Sequence, residues 1–139
     1  MLKINKMGMW AESEALSYLQ KMGFILVAQN FHSRFGEIDL IMKKDQDLIF
    51  VEVKARAKTK YGLAHEVISV TKQRKIMHTA LEFLAKQQSY SHFYCRFDVI
   101  CFNFEQKFSK SIHYDFENCQ YDLNWIENAF TFDSEFINL

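Results

Sequence analysis

Glu37-Ile38-Asp39-Leu40-Ile41-Met42 and Leu48-Ile49-Phe50-Val51-Glu52-Val53-Lys54 are two strand-like runs on either side of a polar stretch that ends in Lys44-Asp45-Gln46-Asp47. Apolar residues at alternate positions and a short polar break predict a β-hairpin. Side chains alternate along a strand, so Glu37 and Asp39 share a face, as do Glu52 and Lys54. With 44–47 as the turn, Asp39 falls opposite Glu52, and Glu37 opposite Lys54. Facing residues of such a pair lie roughly 5 Å apart at Cα. A slip of one residue would send Asp39 and Glu52 to different faces, so the reading depends on this register.

Upstream, Ala11, Ala15, Leu16, Tyr18, Leu19 and Met22 recur at helical spacing and predict a helix over 7–22, stopped by Gly23. Phe24 to Ala28 reads as a short strand. Downstream, Ile76, Ala80, Leu81 and Leu84 mark one face of a helix over 71–88, capped by Ser69 or Thr71. Phe93–Phe104 and Ser111–Phe116 are strand candidates. The aromatic residues towards the chain end, Trp125 and Phe130 among them, are assigned to packing. Helix, three strands, helix, two strands predicts an α/β sandwich on a mixed sheet rather than an alternating doubly wound fold. With 139 residues, no proline and four glycines, the chain reads as a single domain over 1–139.

The net charge is zero but unevenly divided. Residues 1–97 carry 15 Lys/Arg against 9 Asp/Glu, and residues 98–139 carry 2 against 8. Lys54, Arg56, Lys58, Lys60, Lys72, Arg74 and Lys75 cluster in the first part, a pattern that suits a polyanion as well as a solvated basic face. Cys95, Cys101 and Cys119 form no CxxC pair and read as small core residues of a reduced, cytoplasmic protein. The longest apolar run, Phe24–Ala28, falls far short of the ~20 residues that span a bilayer, so no membrane association is expected.

Carboxylates as close as Asp39 and Glu52 repel, and one stays protonated unless a cation lies between them. Oxygen ligands without cysteine or histidine favour Mg²⁺ or Mn²⁺ over Zn²⁺. Lys54 beside them could orient or activate an attacking water. Glu12 falls on the inward stripe of the first helix, where a carboxylate needs a partner or a metal. A plain alternative stays open: a Glu37–Lys54 salt bridge, an exposed Asp39, and a Glu12 that reaches water from the stripe edge.

Gly8-x-x-Ala11-Glu12-x-x-Ala15-x-x-Tyr18-Leu19, Asn30, Arg34-x-Gly36-Glu37-Ile38-Asp39-Leu40-Ile41, Phe50-Val51-Glu52-Val53-Lys54-x-Arg56 and Arg96-Phe97-Asp98-Val99 closely resemble the YraN-like family. These are small bacterial proteins of the restriction-endonuclease-like, PD-(D/E)XK superfamily, akin to Holliday-junction resolvases. The resemblance covers almost the whole chain, to Asn128-Ala129-Phe130. It implies a restriction-endonuclease-like sandwich, a central mixed β-sheet flanked by helices. It also implies that Asp39, Glu52 and Lys54 are catalytic, with Asp39, Glu52, Glu12 and the Val53 backbone carbonyl holding Mg²⁺ or Mn²⁺. Ala11 and His32 depart from the family's usual glycine and arginine.

Lys72, Gln73, Arg74 and Lys75 open the second helix, where superfamily members often contact phosphate, and Arg34 and Arg56 flank the hairpin; all six are candidate nucleic-acid contacts. His32, His65, His78, His92 and His113 show no metal-ligand spacing and read as structural or surface residues, and Asp98 as a partner of Arg96. The reading is a Mg²⁺-dependent endonuclease that hydrolyses phosphodiester bonds in duplex or branched DNA. The rival is a non-catalytic DNA-binding accessory protein of repair, recombination or uptake. A homodimer that assembles a larger basic groove is compatible with either.

Overall fold

The computed structural model describes residues 6–57, 68–105 and 120–132. Helix α1 (Lys6–Lys21) ends as the sequence predicts. Gly23 takes φ +96°, its N–H bonds to the Gln20 carbonyl and the Phe24 N–H to the Leu19 carbonyl, both at 3.0 Å. This paired closure requires a left-handed residue at Gly23, and it seats Phe24 against Leu19 in the core.

Strands β1 (Ile25–Ser33), β2 (Gly36–Lys44) and β3 (Asp47–Ala57) form an antiparallel meander. β1 outruns the expected 24–28 because its second half lies along the sheet edge, where polar residues are tolerated. The β2–β3 register is the expected one, from Lys44↔Asp47 to Leu40↔Val51. Asp45 makes the turn in the left-handed region, with φ +53°.

Helix α2 (Val70–Lys86) starts at Ser69, whose hydroxyl accepts the Lys72 N–H at 3.1 Å. It buries Ile76, Met77, Thr79, Ala80 and Phe83. Leu81, expected inward, is exposed, because the helix is seated on Met77 and Phe83 instead. A short 3₁₀ turn (Gln88–Tyr90) leads into β4 (Tyr94–Phe104). The crossover through α2 lets β4 pair with β3 in parallel, and β5 (Tyr121–Phe130) then pairs antiparallel with β4. β5 was not expected. Tyr121, Leu123 and Trp125 alternate with Asp122 and Asn124, which is a strand signal masked by the aromatic richness of the region. The expected strand at Ser111–Phe116, Cys119, and the basic residues Lys58 and Lys60 lie outside the described residues.

The sheet order is β1-β2-β3-β4-β5, with helices on both faces. On one face α1 packs Ala11, Ala15 and Leu19 against Leu40, Met42, Ile49 and Val51. On the other, α2 packs Ile76, Met77, Ala80 and Phe83 against Ile41, Leu48, Phe50 and Phe97. Burial on both sides explains why Leu48-Ile49-Phe50-Val51 is an unbroken apolar run. The result is an α/β sandwich consistent with the restriction-endonuclease-like fold.

The β5 edge is held by one buried carboxylate. Asp98 accepts hydrogen bonds from Arg96 Nε (3.0 Å), Trp125 Nε1 (2.9 Å) and the Asn128 N–H (3.0 Å). It sits where the β4–β5 register shifts and where Asn128 adopts φ +53°. The structural role expected of Asp98 is the one it plays.

Candidate metal centre

β2 and β3 stop pairing just short of the residues of interest. Beyond Leu40↔Val51 the Asp39 carboxylate takes over as acceptor, receiving the Val53 N–H on Oδ2 at 2.8 Å. On the other side of β2, Asn30 adopts φ +52° between the pairs Gln29↔Leu40 and Phe31↔Ile38. Ile38 packs in the α2-side cluster whereas Leu40 packs in the α1-side cluster, so the pleat of β2 turns over at Asp39. Asp39 thereby faces an opening between strands, within reach of groups from both layers.

Through that opening Glu12 of α1 meets Glu37 and Asp39 of β2, each offering a carboxylate oxygen within 4.8 Å of the others. Asp39 is buried, Glu12 half-buried and Glu37 exposed. Burial, then the charge of Glu52, then those of Glu12 and Glu37, raise the Asp39 carboxyl to about 8, against the opposing effect of the Val53 N–H. A buried carboxyl surrounded by carboxylates is the electrostatic condition that a divalent cation relieves. The donors are all hard oxygens, and they fit Mg²⁺ or Mn²⁺.

Glu52 lies apart from this trio. By strand alternation it shares the α2 side with Leu48 and Phe50, and its Oε1 receives Lys72 Nζ at 2.8 Å and Lys54 Nζ at 3.6 Å. Burial and the Lys72 amine beside it draw Lys54 below the ordinary lysine range. Burial works against charge on Lys72 too, but its bond to Glu52 and its contact with Lys54 hold it above that range. The two amines are thus shifted in opposite directions.

The expected Glu37–Lys54 pair does not form. The ladder ends before it reaches them; Glu37 instead pairs with His32 Nδ1 at 3.2 Å and joins the carboxylate trio. The structure therefore forms two groups, Glu12, Glu37 and Asp39 at the opening and Glu52 with Lys54 and Lys72 on the α2 side. Asp39 feels the charge of both carboxylate sets; Glu37 and Lys72 take roles the sequence did not suggest. Glu37 was within reach of sequence reasoning, two residues from Asp39 on one strand. Nothing in the sequence ties Lys72 to Glu52. The Val53 N–H is fixed by Asp39. Among the other candidate contacts, Gln73 Nε2 is engaged by the Ile68 carbonyl at 3.0 Å, and Arg34 lies 4.8 Å from the Phe35 ring centroid. Arg74 and Lys75 are exposed on α2, and Arg56 is half-buried on β3. No helix among the described residues is long and apolar enough to cross a membrane.

The family model for uncharacterised protein family UPF0102 matches residues 11–102, a span that contains every residue of this opening. A UPF0102 protein of Acinetobacter baumannii (strain AYE) is 53% identical over 133 residues, covering 96% of this chain and 100% of the relative. One from Acinetobacter baylyi is 57% identical over 125 residues, covering 90% and 89%. At greater distance, a UPF0102 protein of Caldicellulosiruptor saccharolyticus is 34% identical over 125 residues, covering 90% and 97%. A match of this extent, over the fold and the opening alike, makes the chain a member of the uncharacterised family UPF0102, the YraN-like proteins.

Proposed function

We propose that the protein is a Mg²⁺- or Mn²⁺-dependent endonuclease that hydrolyses phosphodiester bonds in DNA. The observation that carries this reading is Asp39, buried and raised to about 8 among carboxylates, beside a lysine drawn down in pKa. Strongly perturbed groups gathered in this way cluster at sites that work on protons and phosphates. Glu12, Glu37, Asp39 and the Val53 carbonyl would hold the ion, with Glu52 joining once Lys72 lets go of it. The ion would polarise the scissile phosphate and lower the pKa of a water. Lys54, whose charge is opposed by burial and by Lys72, would orient that water. Lys72, which stays charged, offsets negative charge as it builds on the phosphate. Arg34, Arg74 and Lys75 place the backbone.

The test uses the full chain on linear and four-way-junction DNA in Mg²⁺ and Mn²⁺. Wild-type protein is expected to cut, while Lys54→Ala and Asp39→Asn cut nothing, with DNA binding in Lys54→Ala only slightly weaker. Ca²⁺ should support binding without cleavage, since its looser coordination positions water poorly. Binding without cutting on any substrate would replace this reading with the DNA-binding accessory role. Cutting that survives both substitutions would overturn the assignment of the site.

A further inference from the structure

The turn from β1 to β2, Ser33-Arg34-Phe35-Gly36, is fastened to α2 rather than left loose. Ser33 Oγ accepts the Phe35 N–H at 3.0 Å and lies 2.7 Å from Thr79 Oγ1. Thr79 is buried and donates its own proton to the Lys75 carbonyl at 2.8 Å, so Ser33 is the donor between the two hydroxyls. On this fixed base the Phe35 ring stacks against the His78 imidazole, with centroids 4.6 Å apart and planes at 25°. The Arg34 guanidinium lies over the same ring. Lys75 adds a third basic side chain, its Cβ 3.6 Å from where a Cβ on Gly36 would stand.

Phe35 belongs to none of the three hydrophobic clusters among the described residues. Its partners are a cation and an imidazole, and both Arg34 and Lys75 are exposed. Two residues further on, about 7 Å along an extended strand, stands Glu37 of the carboxylate trio. A half-buried aromatic ring backed by His78 and lying under an exposed cation, one step from carboxylates that would act on a phosphodiester, has the parts of a nucleobase platform.

We propose that the tip is a base-stacking subsite for an unpaired nucleobase of a DNA strand, a proposal that rests on the nuclease reading above. The base stacks on Phe35 in place of the Arg34 guanidinium, and Arg34 turns outward with Lys75 onto the flanking phosphates. A base inside a duplex has both faces covered by its neighbours and cannot take the ring. The preferred substrate is therefore DNA with a single-stranded segment beside the bond to be cut. Because the hydroxyl pair already fixes the ring, little ordering is needed when the base arrives.

Fluorescence anisotropy of the full chain in Ca²⁺ tests this with two labelled duplexes, one carrying a short single-stranded tail with bases and one an abasic tail of equal charge. The tail with bases is expected to bind roughly 5- to 100-fold more tightly, the range for stacking one or more bases. Phe35→Ala should bring that ratio close to one, and Phe35→Tyr should restore it; melting curves of both variants report on folding. Equal affinity for the two tails in wild-type protein, or a ratio untouched by Phe35→Ala, overturns the subsite. If wild-type protein binds and cuts both DNAs alike in Mn²⁺, the subsite alone fails. If it binds neither, the nuclease reading fails as well.

Discussion

Asp39 stands under two demands that pull against each other. Its Oδ2 is needed as acceptor for the Val53 N–H, while its charge is opposed by burial and by Glu52, Glu12 and Glu37. An amide can meet the first demand and is free of the second. Asp39→Asn is therefore expected to melt at or above the wild-type temperature without metal, and to lose stabilisation by Mg²⁺. Asp39→Ala should instead lose about 1–3 kcal/mol, the cost of an unpaired buried N–H. The sign of the pH effect follows from the raised pKa. Between about 4 and 8 the folded protein keeps a proton that the unfolded chain releases, so stability of the metal-free protein falls as pH rises through this window. Thermal melts at pH 5 and pH 8 should show that decline in wild-type protein and a shallower one in Asp39→Asn; equal slopes would mean the carboxyl does not hold its proton. Lys72 makes a separate prediction. On the proposed function, removing the ammonium that occupies Glu52 Oε1 frees that carboxylate for the ion, so Lys72→Ala should bind Mn²⁺ about 3- to 10-fold more tightly by calorimetric titration, the scale of one net hydrogen bond. Weaker Mn²⁺ binding would show that Lys72 supports the centre rather than competing for it.

Among the elements, the β2–β3 hairpin was the most legible, because a strand's period of two leaves few registers once the polar turn is identified. The interruption at Asp39 was not, since it arises from Asn30 on the neighbouring strand and from cores on opposite faces that claim Ile38 and Leu40. No local pattern records that competition. β5 is obscured for a different reason: in an aromatic-rich stretch its alternation is clean only over Tyr121–Trp125 and fails at the irregularity near Asn128. Asp98 absorbs that irregularity. Taking it away would strand the Trp125 and Asn128 donors and leave Arg96 without its main partner. Asp98→Ala should destabilise by about 3–5 kcal/mol in urea unfolding, in the range for breaking a buried charge pair. A loss under ~1 kcal/mol, the scale of a surface pair, would mean that β5 is held by its aromatic packing alone.

At the scale of the whole molecule, the order of elements decides when each strand finds its neighbours. β3 lies in the middle of the finished sheet, but its parallel partner β4 arrives only after α2 has been made. A chain folding from its N-terminus as it is synthesised therefore holds α1 and the β1–β2–β3 meander first, with β3 as a temporary edge. That edge displays Leu48-Ile49-Phe50-Val51, all buried in the end, and apolar edges of this kind invite pairing with other chains. The residues that follow on the same strand are Glu52, Lys54 and Arg56. Charges flanking an apolar strand discourage such pairing, so Glu52, Lys54 and Arg56 are placed to act as gatekeepers of the nascent sheet, whatever else they do. Replacing them with apolar residues would remove, in the interval before β4 docks, the protection against aggregation.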